Sequence, residues 1–228
     1  MLNLIITQIS REGLPFIVFF AVATIILSII NNWLVLPGLV MTIGCTYFFR
    51  DPNRITPVRH GLIISPADGV VVSISQVSWP EELGINPGTV QRICIFMNVF
   101  DVHVNRIPID CQIVKLTYLP GTFINASFDK ASKQNERQLI TMETQDGQLI
   151  VLVQIAGLVA RRIVCKISEG QVMLAGERIG MICFGSRVDI YLPPKVAPLV
   201  ALGQRCIAGE TVIADLNSTE ALREGVMR

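Results

Sequence analysis

Histidine is almost missing from this chain. Among 228 residues there are two, His60 and His103. A His-rich metal site is thereby excluded, and any imidazole chemistry falls on one of those positions. The six cysteines (Cys45, Cys94, Cys111, Cys165, Cys183 and Cys206) contain no Cys-x-x-Cys pair. Their scatter fits neither a zinc site nor a small disulfide framework, and it points to a reducing compartment. No GxGxxG and no P-loop occurs, so nothing argues for a bound nucleotide. A net charge of +1 gives nucleic-acid binding no electrostatic support. Aspartate, glutamate, lysine and arginine are absent altogether between Glu12 and Arg50.

That uncharged stretch is the first thing the chain does have. Leu14 to Ile30 is apolar apart from Pro15, Thr24 and Ser28; Asn31-Asn32 breaks it, and Trp33 to Phe49 is apolar again. Each run is close to the minimum of about 17 residues that spans a bilayer. The pattern predicts an N-terminal membrane helical hairpin, residues 1–50, with its tip at Asn31-Asn32. A cleaved signal peptide fits poorly, because a second apolar run follows with no cleavage-site pattern. Arg11, Arg50, Arg54 and Arg59 flank the runs, which places both ends on the cytoplasmic face of the cell membrane. Trp33, Tyr47, Phe48 and Phe49 suit an interfacial aromatic belt. A shallow re-entrant hairpin and a buried soluble hairpin are the competing readings.

From Leu62 the texture changes to short strands between Gly, Pro and Asn. Expected strands are Val70–Val77, Arg92–Val99, Cys111–Tyr118, Gln138–Glu143, Leu149–Ala156, Arg161–Ser168, Ile179–Phe184 and Val188–Leu192. Asp146-Gly147 reads as a hairpin turn, and Asn217–Arg223 as a short helix. There is an internal echo: Gly170 to Glu177, GQVMLAGE, matches Gly203 to Glu210, GQRCIAGE. This turn grammar resembles the flattened β-sandwich of biotinyl and lipoyl carrier domains. No Lys sits at a carrier-type hairpin tip, since Lys166 falls in a strand pattern and Lys195 in a Pro-flanked loop, so the repeat is architecture. The expected fold class is therefore mainly β, a flattened sandwich or barrel with lipoyl-carrier-like turns over residues 51–228, plus the N-terminal hairpin.

Chemistry concentrates at three places. Gly185-Ser186 lies between two strand-like runs, where glycine can hold a strained bend and expose its carbonyl to the Ser186 hydroxyl; the plain alternative is a β-bulge. Ser65-Pro66-Ala67-Asp68-Gly69 puts a carboxylate in a tight turn. Phe100-Asp101-Val102-His103-Val104-Asn105-Arg106-Ile107-Pro108 packs acid, imidazole, amide and guanidinium together, and in an extended chain Asp101, His103 and Asn105 share one face. Asn135-Glu136-Arg137 and Arg161-Arg162 add cations that could meet a phosphate or carboxylate. Asp68, His103 and Ser186 together supply a carboxylate, a base and a hydroxyl, the parts of an activated nucleophile.

With YFFRDPNR (Tyr47–Arg54), SPADG (Ser65–Gly69), FDVHVNRIP (Phe100–Pro108), NER (Asn135–Arg137) and ERIGMICFGSRVDIYLP (Glu177–Pro193) in this order, the chain resembles the phosphatidylserine decarboxylase proenzymes, in their short bacterial and archaeal-type branch. The resemblance implies autocatalytic cleavage at Gly185-Ser186. Residues 1–185 would form the large β chain and 186–228 the small α chain of a heterodimer. Ser186 would become a covalent pyruvoyl cofactor, which forms a Schiff base with the amine of phosphatidylserine and leads to phosphatidylethanolamine and carbon dioxide. It further implies Asp68 as an aid to Ser186, His103 in cleavage, decarboxylation or both, membrane lipid as partner, and no metal; a homo-oligomer is compatible with it. Longer enzymes of the family carry Leu-Gly-Ser-Thr and a second His; here the cleavage site reads Phe184-Gly185-Ser186-Arg187, and Arg106 stands where the second His would fall. Three rivals remain at this level. A pyruvoyl decarboxylase acting on a soluble amino acid would not need Leu14–Phe49. A membrane-anchored serine hydrolase would use Ser186 outside a GxSxG elbow. A tethered lipoyl-type scaffold would need the missing Lys.

Overall fold

The computed structural model describes residues 8–84, 88–122, 134–157, 162–183, 186–223 and 225–226. The uncharged stretch forms two helices. Strand β1 (Gln8–Ile9) precedes α1 (Leu14–Ile30), α2 (Val35–Phe48) follows, and β2 (Arg50–Asp51) pairs antiparallel with β1. Pro15 and Pro37 each sit in a first turn, where a missing N–H breaks no helical bond. Asn31 ends α1: its N–H donates to the Leu27 carbonyl (3.0 Å), while its Oδ1 accepts the Trp33 N–H (3.0 Å) and starts the next turn. Gly38 lets the helices meet closely, since a Cβ there would fall 2.5 Å from Thr24 Oγ1. The outer surface stays apolar and bare, with Trp33 87% and Ile29 81% exposed. The helical stretch Arg11–Ile30 is long and apolar enough to cross a membrane; Asn32–Phe48 is shorter. These residues group into one unit, Met1–Asn53 with Phe100–Val102, and the remainder of the chain into another.

The second unit is mainly β, as its texture implied. It comprises β3 (Leu62–Ile64), β4 (Gly69–Ser78), β5 (Thr89–Met97), β6 (Val104–Arg106), β7 (Cys111–Leu119), β8 (Arg137–Glu143), β9 (Leu149–Ile155), β10 (Ile163–Cys165), β11 (Val172–Met173), β12 (Arg178–Ile182), β13 (Ser186–Tyr191), β14 (Arg205–Cys206) and β15 (Val212–Asp215). Eight strands form one antiparallel sheet in the order β11-β7-β8-β9-β13-β5-β4-β14. Two small sheets, β10-β12-β6 and β15-β3, accompany it. Alternation along β9 and β13 divides the side chains between two cores. Ile150, Leu152, Val188 and Ile190 enter the main one with Ile93, Ile95 and Met97 of β5. Val151, Val153, Ile155 and Tyr191 enter a smaller one with Trp79.

The Gly-rich echo is half of a larger internal duplication. Gly203 and Gly170 donate their N–H to Val71 O (2.8 Å) and Ile113 O (2.7 Å). Gly209 and Gly176 donate to Ser65 O (2.9 Å) and Ile107 O (2.8 Å). Ala208 N–H meets Asp68 Oδ1 and Ala175 N–H meets Asp110 Oδ1, both at 2.7 Å. Pairing of β15 with β3 repeats that of β12 with β6, down to a register shift at Val212/Ala214 and at Arg178/Gly180. Ser65-Pro66-Ala67-Asp68 thus corresponds to Ile107-Pro108-Ile109-Asp110. What the halves share is scaffold; what they do not share asks for another reason.

Two expectations change. Asn217–Arg223 is not helical: seven residues do not repay helix nucleation, and Arg223 instead donates to Leu199 O (2.9 Å) and Glu220. Of Arg161–Ser168 only Ile163–Cys165 forms strand, and Arg161 lies outside the described residues. The Asp146-Gly147 hairpin joins β8 and β9, with Gly147 at φ +73°.

Candidate active site

Strand β13 is flanked by β5 and β9 in the middle of the large sheet. Its first residue is Ser186, opposite Met97. Alternation sends the Ser186 side chain to the face shared by Val188 and Ile190, into the main core. Ser186 is fully buried, and its Oγ has no hydrogen-bond partner among the described residues. A buried hydroxyl without a partner costs about 1–3 kcal/mol, and such orphaned groups cluster where chemistry is done. Gly185, the other half of the expected cleavage site, lies outside the described residues, as does Phe184.

The small sheet β10-β12-β6 brings the imidazole motif to the same face. Strand β6 pairs with β12, Val104 against Met181, and the His103 carbonyl accepts the Ile182 N–H (3.2 Å), extending the ladder by one position. His103 and Asn105 therefore share a face, and both are fully buried. Asn105 reports where that face points: its Nδ2 donates to Met97 Sδ (3.6 Å), and its Oδ1 accepts from Gln154 Nε2 (2.8 Å). Met97 belongs to β5 and Gln154 to β9, with β13 between them. A side chain that bridges the two crosses over β13 at Ser186 and Val188. In the duplicated half, Gly61 and Ile63 occupy the places of His103 and Asn105, so these polar groups are not demanded by the scaffold. The other histidine, His60, is at the surface beside Asp146 (3.0 Å).

Asp68 sits at the same end of the sheet, on the other flank of β5. Val70 pairs with Phe96 and Ser186 with Met97, so the strands bearing Asp68-Gly69 and Ser186 are two strand spacings apart, about 10 Å. Gly69 is required here: a Cβ would meet the Phe96 carbonyl at 2.2 Å. The Asp68 carboxylate is held from two sides, by Arg54 (Nη2 to Oδ2 2.7 Å) and by the Ala208 N–H. The amide contact belongs to the scaffold, because Asp110 makes it too. The ion pair does not: Asp110 is exposed and has no ion-pair partner among the described residues. Beside Asp68, burial pushes the Cys206 thiol up to about 11, and burial likewise raises Cys94 and lifts Cys111 to about 12. Neutral buried thiols are poor nucleophiles.

Other polar motifs turn out to be structural. Arg106, in the position of the second His, donates to Gly176 O (2.8 Å), and its N–H bonds Pro66 O (2.9 Å), tying the duplicated halves together. Asn135 Nδ2 donates to Ala156 O (2.7 Å), and Arg137 is ion-paired with Glu82. On the face opposite Ser186, Arg187 and Asp189 form a buried pair, with Nη2 to Oδ2 at 3.1 Å and an off-axis Nε–Oδ1 contact of 2.8 Å. Among the described residues no three His, Cys, Asp or Glu side chains group to hold a metal ion. Sequence reasoning missed Gln154 and the pairing of Arg54. For Gln154 the signal was a lone amide in the apolar run Leu149 to Ala156.

A model of the family described as phosphatidylserine decarboxylase matches residues 41–214. The chain belongs to the phosphatidylserine decarboxylase family. Relatives named phosphatidylserine decarboxylase proenzyme align along nearly its whole length. One from Paramagnetospirillum magneticum is 54% identical over 96% of this chain and 92% of its own. One from Cereibacter sphaeroides is 53% identical over 100% and 98%, and one from Rickettsia prowazekii 53% over 91% and 90%. All the motifs of the site, from Arg54 through Asp68 and His103 to Ser186, fall inside the span of the family model.

Proposed function

We propose that the chain is the proenzyme of a membrane-bound, pyruvoyl-dependent phosphatidylserine decarboxylase that matures by cutting itself between Gly185 and Ser186. The observation that carries this reading is the buried Ser186 Oγ, unpartnered at the first position of a central strand. Ser186 Oγ attacks the Gly185 carbonyl and the peptide bond becomes an ester. Elimination then breaks the Cβ–Oγ bond, leaving residues 1–185 with a new carboxylate and dehydroalanine at 186. Water replaces the nitrogen, which departs as ammonia, and residue 186 ends as a pyruvoyl group. The site fits that group: no side-chain hydrogen bond among the described residues competes for residue 186, and it is buried against the main core. When formed, the group supplies a keto carbonyl that condenses with the substrate's amine, releasing water, and takes up the electron pair left by departing carbon dioxide. His103, the one buried imidazole, supplies the proton that replaces the lost carboxylate. The segment Ser186–Asp215 stays in place after the cut, since β13 keeps both neighbours and β14 and β15 remain paired with β4 and β3.

Asp68 assists Ser186, and the duplication provides a control. Asp68→Asn keeps the Ala208 contact and gives up the charge that answers Arg54. We expect it to slow self-cleavage by about 10²-fold, followed as conversion of full-length chain on denaturing gels. Asp110→Asn changes the same scaffold contact and is expected to cleave at the wild-type rate. Equal rates in the two variants would remove Asp68 from the site.

The hairpin holds the enzyme where its substrate is. Val22 and Ile25 are exposed on α1, and an Asp near the centre of a spanning helix costs about 2.5–3.5 kcal/mol. Val22→Asp combined with Ile25→Asp is expected to cleave normally and to leave the membrane fraction. It should lose turnover of phosphatidylserine in vesicles yet retain turnover of a short-chain substrate in detergent. Equal loss on both, with cleavage intact, would show that the helices shape the site instead of anchoring it.

A further inference from the structure

The hydroxyl of Ser186 is not the only orphan on its face. Gln154 is fully buried, and its Oε1 also has no hydrogen-bond partner among the described residues. Val188 pairs with Gln154 and Ser186 lies two residues before Val188. The two side chains are therefore diagonal neighbours on one face, with Cβ atoms about 7 Å apart. They make no hydrogen bond with each other.

The orientation of the Gln154 amide is fixed by its neighbours. Met97 Sδ accepts only, so Asn105 turns its Nδ2 to the sulfur and its Oδ1 away. That Oδ1 is met by Gln154 Nε2 at 2.8 Å, which leaves Oε1 as the free end of the chain. An amide oxygen in this state can only accept, and it is buried on the face that residue 186 shares.

We infer that Gln154, held by Asn105, is the substrate-binding residue that receives the amino group. This deepens the pyruvoyl reading and rests on it. The head group of phosphatidylserine offers an ammonium, a carboxylate and a phosphodiester. Only the ammonium carries N–H donors; the anionic oxygens gain nothing from a second acceptor. One N–H to Gln154 Oε1 sets the nitrogen beside residue 186 and directs the carboxylate elsewhere. The amide takes no proton in this arrangement. It fixes the direction of one N–H, so that the lone pair exposed when the ammonium loses a different proton is turned toward residue 186.

The test reads amine capture and not turnover. Wild-type protein, Gln154→Leu and Gln154→Glu are each reduced with borohydride, which adds two hydrogens to the carbonyl of the small chain and counts it by mass. In parallel they are treated with cyanoborohydride and a short-chain phosphatidylethanolamine in detergent, which leaves an amine adduct of known mass on the same chain. We expect Q154L to cleave and to show its full complement of carbonyl, while amine capture per carbonyl falls about tenfold or more, the loss of one hydrogen bond to a charged donor. Q154E keeps an acceptor; Asn105 meets its second oxygen by turning Nδ2 to it, giving up the weak contact with Met97 Sδ, and the variant is expected to capture amine within about threefold of wild type. Undiminished capture by Q154L would overturn the assignment. Should Q154L not fold or not cleave, Q154E decides: capture near the wild-type level upholds the assignment and a tenfold loss overturns it. Absence of any carbonyl in wild-type protein would sink the pyruvoyl reading instead, a result distinct from either.

Discussion

Ser186→Ala is expected to accumulate as one chain of full mass, without a reactive carbonyl and without decarboxylase activity. The expectation follows from what Ser186 does and does not do in the fold. Its Oγ is the atom that would attack Gly185, and a methyl group cannot. Yet the hydroxyl makes no hydrogen bond among the described residues, so its removal costs the fold no bond and relieves an unsatisfied buried group. The melting temperature of the variant, compared with that of an uncleaved wild-type sample, should not fall. This separates a chemical defect from misfolding. A variant cut into two chains, or an uncut variant with activity, would refute self-cleavage by Ser186. A serine hydrolase would also be silenced by S186A, but its wild-type form would never have been cut.

His103→Ala is expected to reduce decarboxylation by the processed enzyme by about 10²–10⁴-fold, the range for losing a positioned proton donor. His103 is fully buried, on the face of the Asn105–Gln154 chain over β13. Position 61 in the duplicated half holds a glycine, so no scaffold duty explains an imidazole there. Rates of cleavage and of carbon dioxide release are measured on the same preparation. Normal cleavage with lost turnover confines His103 to decarboxylation; loss of both gives it both steps. Wild-type rates for both would remove it from the site, and His60, exposed beside Asp146, offers no replacement.

Much of this arrangement is legible in the sequence, for definable reasons. Seven of the eight expected runs from Val70 to Leu192 became strands over most of their described length, and Arg161–Ser168 did so only at Ile163–Cys165, because β-branched residues and turn-forming Gly, Pro and Asp alternate at strand lengths. Asp146-Gly147 gave its hairpin away. The echo GQVMLAGE/GQRCIAGE was visible because both copies need Gly at the same left-handed turn positions, Gly170 with Gly176 and Gly203 with Gly209. Its other half was not visible: between Leu62–Ser78 and Val104–Leu119 little but Pro66/Pro108 and Asp68/Asp110 coincides, since a buried strand accepts many apolar residues. The site was half legible. Unusual residue types, Ser186 after a glycine and the lone interior histidine, advertise themselves. Gln154 and Arg54 do not, because their meaning lies in a partner: Gln154 faces Asn105, 49 positions earlier, and Arg54, which reads as a membrane-flanking cation, instead neutralises Asp68.

Whether the chain makes its own cofactor from Ser186 is read from the intact mass of the purified wild-type protein under denaturing conditions, with and without a carbonyl-reactive reagent. Two masses are expected, co-eluting as one species before denaturation. The larger corresponds to residues 1–185. The smaller corresponds to residues 186–228 less one ammonia, and it alone gains the mass of the reagent. A single full-length chain, or a 186–228 fragment that keeps an ordinary N-terminal serine and ignores the reagent, would contradict that origin of the cofactor.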